Sequence, residues 1–109
     1  MSAVQDINFV EVGHICQDLS NYSHDLYSSC HFASQYSDED RQKDMADFLK
    51  VVDCFNAFVK RESDCVEFAA KAQFISQALI AFIASPGEDE TFRALKDAIK
   101  DLMALFHLY

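Results

Sequence analysis

Cys65-Val66-Glu67-Phe68-Ala69-Ala70-Lys71-Ala72-Gln73-Phe74-Ile75-Ser76-Gln77-Ala78-Leu79-Ile80-Ala81-Phe82 is the stretch on which the fold turns. Its Cys65, Phe68, Ala72, Ile75, Leu79 and Phe82 recur at alternating steps of three and four residues. Such steps keep side chains on one side of an α-helix, whereas a half-buried strand needs steps of two. Moving outward, the same spacing returns before and after it. Val12, Cys16, Leu19, Ser23, Leu26, Cys30 and Ala33 form one seam, and Met45, Phe48, Val52, Phe55 and Val59 a second. Phe92, Leu95, Ile99, Leu102 and Phe106 form the last. Each seam predicts a helix that buries one stripe against the others.

The breaks between seams carry helix-start chemistry. Ser37 ahead of Asp38, Glu39 and Asp40 reads as an N-cap with acids in the first turn, where the helix dipole favours them. Asp64 and Glu67 are spaced as a capping box. In Ser85-Pro86-Gly87-Glu88, Ser85 reads as an N-cap with Pro86 at the first helical position. The helices are therefore expected over about 12–35, 38–61, 64–84 and 86–109. Connections this short force consecutive helices to lie antiparallel. The expected fold is all-α: an antiparallel up-down four-helix bundle over residues 12–109, with a short N-terminal arm or helix over residues 1–11. In that arm Ile7, Phe9 and Val10 are apolar enough to dock, and Gly13 weakens helix continuity.

A chain of 109 residues can build one core. Two glycines and one proline are too few for an all-β fold with frequent tight turns. The longest apolar run, Ala78 to Ala84, lies inside the third seam, well short of the roughly 18 residues that mark a membrane span. No Lys or Arg precedes Arg41 to form a secretory leader. These features predict a soluble, cytoplasmic protein without membrane contact.

The net charge of −9 is unevenly placed. Residues 1–40 hold Asp6, Glu11, Asp18, Asp25, Asp38, Glu39 and Asp40 with no basic side chain other than histidine. Nucleic acid binding needs clustered Lys and Arg to displace counterions, so direct binding is not expected. A basic partner, such as the nucleic-acid-binding surface of another protein, would be attracted to an acidic face of Asp18, Asp25, Asp38, Glu39 and Asp40.

Catalytic and metal-binding patterns are sparse. Chelation on a helix needs ligands three or four residues apart, but His24 and His31 are seven apart, about 10 Å along an axis. There is no Cys-x-x-Cys, Gly-rich elbow or phosphate-binding loop. No metal, cofactor or catalysis is expected. Cys16, Cys30 and Cys65 fall in the seams as small hydrophobes, and Cys54 lies off its seam as the thiol expected to be accessible.

The off-seam aromatics point instead to binding. At about 100° per residue Phe74 lies roughly 130° from its seam's centre. Phe58 and Val51 are displaced on the second helix, as are Phe32 and Tyr36 on the first. Several exposed aromatics suggest a protein interface. The expected function is that of a small non-catalytic protein-binding module of inhibitor, immunity, anti-activator or adaptor type. Self-association as a homodimer would use the same side chains.

A second reading rests on His24, which faces away from its seam with Ser20 and Ser28 four residues to either side. The run His24-Asp25-Leu26-Tyr27-Ser28-Ser29-Cys30 resembles the His-x-Leu-Lys-Gly-Ser-Ser motif of histidine phosphotransfer domains. Those are small four-helix bundles that carry phosphate on an exposed histidine where a response regulator docks. The resemblance covers about seven residues and would make His24 the phosphoacceptor. Tyr27 stands where that family has Lys, and Ser28 where it has Gly.

Overall fold

The computed structural model describes residues 3–109 and contains four helices: α1 (Phe9–His31), α2 (Asp38–Arg61), α3 (Val66–Ala84) and α4 (Asp89–Leu105). They form the expected antiparallel up-down bundle, a rod of 49 × 22 × 21 Å. The α1–α2 and α3–α4 hairpins pack closely, and α4 returns along α1. α2 and α3 meet through rings: Phe48 sits edge-on to Phe82 at 5.4 Å and Phe58 edge-on to Phe68 at 5.5 Å. These pairs join opposite ends of the two helices, which fixes them as antiparallel. The seams supply the core, including Leu19, Leu26, Phe48, Phe55, Phe68, Ile75, Phe82, Leu95, Ile99 and Leu102. Burying each such side chain stabilises the fold by about 1.5–3 kcal/mol before entropy is counted.

The N-terminal arm is a 3-10 turn at Val4–Asp6 followed by Ile7, which is buried in the core. α1 then starts earlier than its seam, because Asn8 caps it: the Asn8 side-chain oxygen accepts from the Val10 and Glu11 amides at 3.0 and 3.2 Å. Gly13 does not interrupt the helix. α1 also ends early, at His31, and Ala33–Gln35 form a 3-10 turn. Arg41 closes that connection by donating to the Ala33 and Tyr36 carbonyl oxygens at 3.1 and 3.0 Å.

α2 begins as the sequence implied. Ser37 Oγ accepts from the Asp40 amide at 3.0 Å, and the Asp40 carboxylate accepts from the Ser37 amide at 3.1 Å. The two later starts differ. Asp64 and Glu67 form no capping box; Cys65 occupies the cap position without a side-chain bond and turns its buried thiol inward. Core burial of Cys65 thus outweighs capping by Asp64. Ser85 does not cap α4 but ends α3, its amide bonded to the Ala81 and Phe82 carbonyls. Pro86 and Gly87 make a turn, and the Thr91 hydroxyl donates back to the Ser85 carbonyl at 2.9 Å. The reason is steric: Gly87 is pressed onto the end of α1, where an added Cβ would stand 3.1 Å from the Cys30 carbonyl carbon. α4 begins at Asp89, past that contact. It stops at Leu105, short of the expected end at Tyr109.

α3 is 19 residues long with mean hydropathy 1.3, so by length and composition it could span a bilayer. Counting uninterrupted apolar runs misses this, because Glu67, Lys71, Gln73, Ser76 and Gln77 break the runs with only two charges among them. Inside the bundle its Phe68, Ala72, Ile75, Leu79 and Phe82 are buried, and its other side is left uncovered.

Candidate functional site

The uncovered side of α3 carries large apolar groups and no charge. At about 100° per residue, Val66, Ala70, Gln73, Phe74, Gln77, Ile80, Ala81 and Ala84 fall in one arc opposite the buried seam. All of them are exposed and none is charged. Val66, Phe74 and Ile80 expose 64%, 59% and 74% of their surface, although each is large and apolar. The charges of α3 itself, Glu67 and Lys71, stand at the edge of this arc. The Phe48–Phe82 pairing brings Leu49 of α2, also exposed, to the level of Ile80 on the other edge. In a chain of net charge −9, an apolar strip the length of a helix stands apart from its surroundings.

Phe74 therefore sits where the sequence suggested, but the other off-seam candidates do not join it. Phe58 is a core residue, 3% exposed. Its ring packs edge-on against Phe68, which in turn meets Phe106, and the Arg61 guanidinium covers it at 4.9 Å. Each bundle helix is flanked by two neighbours, so the buried arc is wider than a two-helix seam, and Phe58 falls within it. Val51 is half-buried against the core and lines a small pocket with Ile15, Asp18, Lys50 and Cys54 between α1 and α2. Phe32 and Tyr36 are exposed, but at the α1–α2 bend. Sequence spacing alone missed Ile80, Val66 and Leu49; the signal for the first two was the missing charge on α3's outer arc.

The acidic residues also divide. Asp40 is engaged in the α2 cap, and those hydrogen bonds from Ser37 hold its carboxyl below its ordinary value. Asp38 pairs with Arg41. Asp18 and Asp25 lie exposed on α1, and Glu39 on the first turn of α2. Helix-start chemistry thus accounts for Asp38 and Asp40, and the five acids do not form one continuous face.

His24 is exposed on α1, its ring 6.2 Å from that of Phe92 on α4. The Lys96 ammonium lies over the same Phe92 ring at 5.4 Å. One turn further along α1, Tyr27 stacks between Phe92 at 4.2 Å and His31 at 4.9 Å, and its hydroxyl donates to the Asp89 carboxylate. That bond raises the Tyr27 pKa and lowers that of Asp89. His31 Nδ1 donates to the Gly87 carbonyl oxygen at 2.9 Å. The cluster clamps the α4 start onto the α1 end and is accounted for structurally.

All four cysteines are unpaired thiols. Cys16 and Cys65 are buried, Cys30 is half-buried and Cys54 is exposed. Burial pushes the Cys16 thiol up to about 12, which makes it inert at neutral pH. Among the described residues no group of three or more His, Cys, Asp or Glu side chains is placed to hold a metal ion. Comparison with protein-family models, with curated proteins and with solved structures finds no match to this chain.

Proposed function

We propose that this chain is a small, acidic, non-catalytic protein-binding module whose contact surface is the outer arc of α3. The observation that carries the reading is the exposure of Val66, Phe74 and Ile80 on an arc without charge. A helix that only faces water gains from Lys and Glu on its outer side, as α2 and α4 illustrate. Leaving large apolar groups there favours binding and costs solubility. Aromatic and aliphatic anchors with an uncharged surround match the core of protein interfaces, where charge is depleted. The surrounding acidity favours a basic partner and hastens its approach. An inhibitor, immunity, anti-activator or adaptor role would use such a surface, including one that masks a basic nucleic-acid-binding surface of its partner.

The test is partner capture from the cells that express the protein, using wild type, Phe74→Ser and Ile80→Ser at matched stability. A protein retained by wild type and lost by both variants supports the reading. Identical sets retained by all three would overturn it.

A second reading has one observation in its favour. His24 and the Lys96 ammonium both neighbour the Phe92 ring, at 6.2 and 5.4 Å from its centroid, and Tyr27 stands where the phosphotransfer motif has Lys. Acid-labile labelling by acetyl phosphate, lost in His24→Gln, would support it. Absence of labelling with acetyl phosphate and with phosphorylated receiver domains would reject it.

A further inference from the structure

Alongside the α3 arc, between α3 and α4, runs a shallow groove of about 400 Å³ lined by Phe74, Gln77, Ala78, Ala94, Asp97, Ala98 and Asp101. Ala98 is buried at its base, Ala78 is half-buried beside it, and one wall is the exposed Phe74 ring. The opposite rim carries Asp97 and Asp101, and the lining holds no cation. A second depression on the outer face of α4 shares Ala94 and Asp97 and adds Asp89, Glu90 and Arg93. From Glu90 to Asp101 this edge of α4 is about 17 Å long at 1.5 Å per residue, three turns of a helix.

Over the middle turns of α4 the charges are sorted by side. Lys96 and Lys100 line the pocket against α1, whereas Asp97 and Asp101 line the groove against α3. Among the described residues, neither Asp97 nor Asp101 nor Glu90 has a cation of the chain within 4.0 Å, by the ion pairs present. These three carboxylates form no ion pair within the chain, and Arg93, in the second depression, is the one cation in either lining.

We infer that this groove seats an amphipathic helix of a basic partner protein, an inference that rests on the protein-binding reading above. Alanines on the floor permit the close axial approach of a fifth helix, which ridge-into-groove packing sets at about 8–10 Å. The partner's apolar side chains at i, i+3 or i+4, and i+7 lie on Ala78, Ala94 and Ala98, against Phe74. Its Lys or Arg side chains on one flank meet Asp97, Asp101 and Glu90. A second copy of this chain is disfavoured as occupant, because it brings another net −9 to an acidic rim.

The probe is a fluorescein-labelled, 14-residue Leu/Lys peptide with Leu at i, i+3, i+4 and i+7 and Lys on one flank. Its isomer with Glu in place of Lys is the control. Anisotropy reads affinity, and amide NMR shifts read location. Saturable binding of the Lys peptide, with shifts centred on Ala94, Asp97, Ala98 and Asp101, is expected. The Asp97→Asn/Asp101→Asn variant should weaken it about tenfold at low salt, because two rim ion pairs are lost. Gln42→Ser, exposed on α2 away from the groove, should leave it unchanged.

Shifts centred instead on Ile80 and Leu49 would overturn the groove and leave the α3 reading standing. Shifts centred on the Asp38–Asp40 turn, or equal binding by the rim variant, would also overturn it. No saturable binding, together with partner capture that ignores Phe74 and Ile80, would overturn both. A concentration-dependent dimer in sedimentation, abolished by Ala94→Arg, would assign the groove to a second copy and refute the inference.

Discussion

Phe58 and Phe74 are the same residue type at off-seam positions on neighbouring helices, and the structure gives them opposite fates. Phe58 is 3% exposed, edge-on to Phe68 at 5.5 Å. Phe58→Ala removes a fully packed ring and an aromatic pair, so a cost of about 3–5 kcal/mol is expected. For 109 residues the unfolding entropy, about 2.1 cal/mol/K per residue, makes each kcal/mol worth about 4 °C. Phe58→Ala should therefore lower Tm by about 12–20 °C. Phe74 is 59% exposed on the outer arc of α3, so Phe74→Ala should change stability by less than about 0.5 kcal/mol, or about 2 °C. Urea unfolding followed by far-UV circular dichroism gives both values, with an unchanged m-value as the check that the same transition is compared. A cost below about 1 kcal/mol for Phe58→Ala, or above about 2 kcal/mol for Phe74→Ala, would refute this division between core and surface.

The two glycines should respond in opposite directions. Gly13→Ala places a Cβ in ordinary contact with Leu108 Cδ1 at 3.6 Å, so the gain in helix propensity should stabilise by about 0.5–1 kcal/mol in denaturation. Gly87→Ala meets Cys30 backbone atoms at 3.1 and 3.2 Å and should destabilise by about 1–3 kcal/mol. The Tyr27–Asp89 bond should narrow the pH range of stability from both ends. The Tyr27 pKa is raised in the fold, so its contribution is complete below the unfolded value near ~10 and fades as pH rises through the folded one. The Asp89 pKa is lowered, so its contribution is present above ~3.9 and fades as pH falls through the folded value. Denaturation across pH should show wild type and Tyr27→Phe converging at both extremes and differing between them. Native alkylation followed by mass spectrometry should modify Cys54 first and spare Cys16 and Cys65 until unfolding.

The core was legible in the sequence because burial in a bundle follows helical periodicity closely. Leu79 and Ile99, read as core from spacing alone, are both buried. Helix boundaries were legible only where local chemistry acted without tertiary interference, as at Ser37 and Asp40. At Asp64 the capping signal lost to burial of Cys65, and at Ser85 it lost to the contact between Gly87 and Cys30. Neither competitor is local. Phe58 was misplaced for a related reason: the width of the buried arc depends on two flanking helices. The α3 arc was partly legible as a helix apolar on nearly all sides. Which apolar residues it leaves uncovered depended on α2 and α4 lying to either side of it. The groove beside it depends on the way α4 turns Asp97 and Asp101 to α3 and Lys96 and Lys100 to α1, a phase that only the packed bundle defines.

Site-specific photocrosslinking, in the cells that express the protein, tests most directly whether the outer arc of α3 is a binding surface. A benzophenone amino acid is placed at Ile80 on α3 or, as the control, at Gln42 on α2. Both positions are exposed on helices, so either label leaves the core intact. A defined protein adduct at Ile80 that is absent at Gln42 is the expected result. Adducts of equal yield at both positions, or an adduct at Gln42 alone, would contradict it.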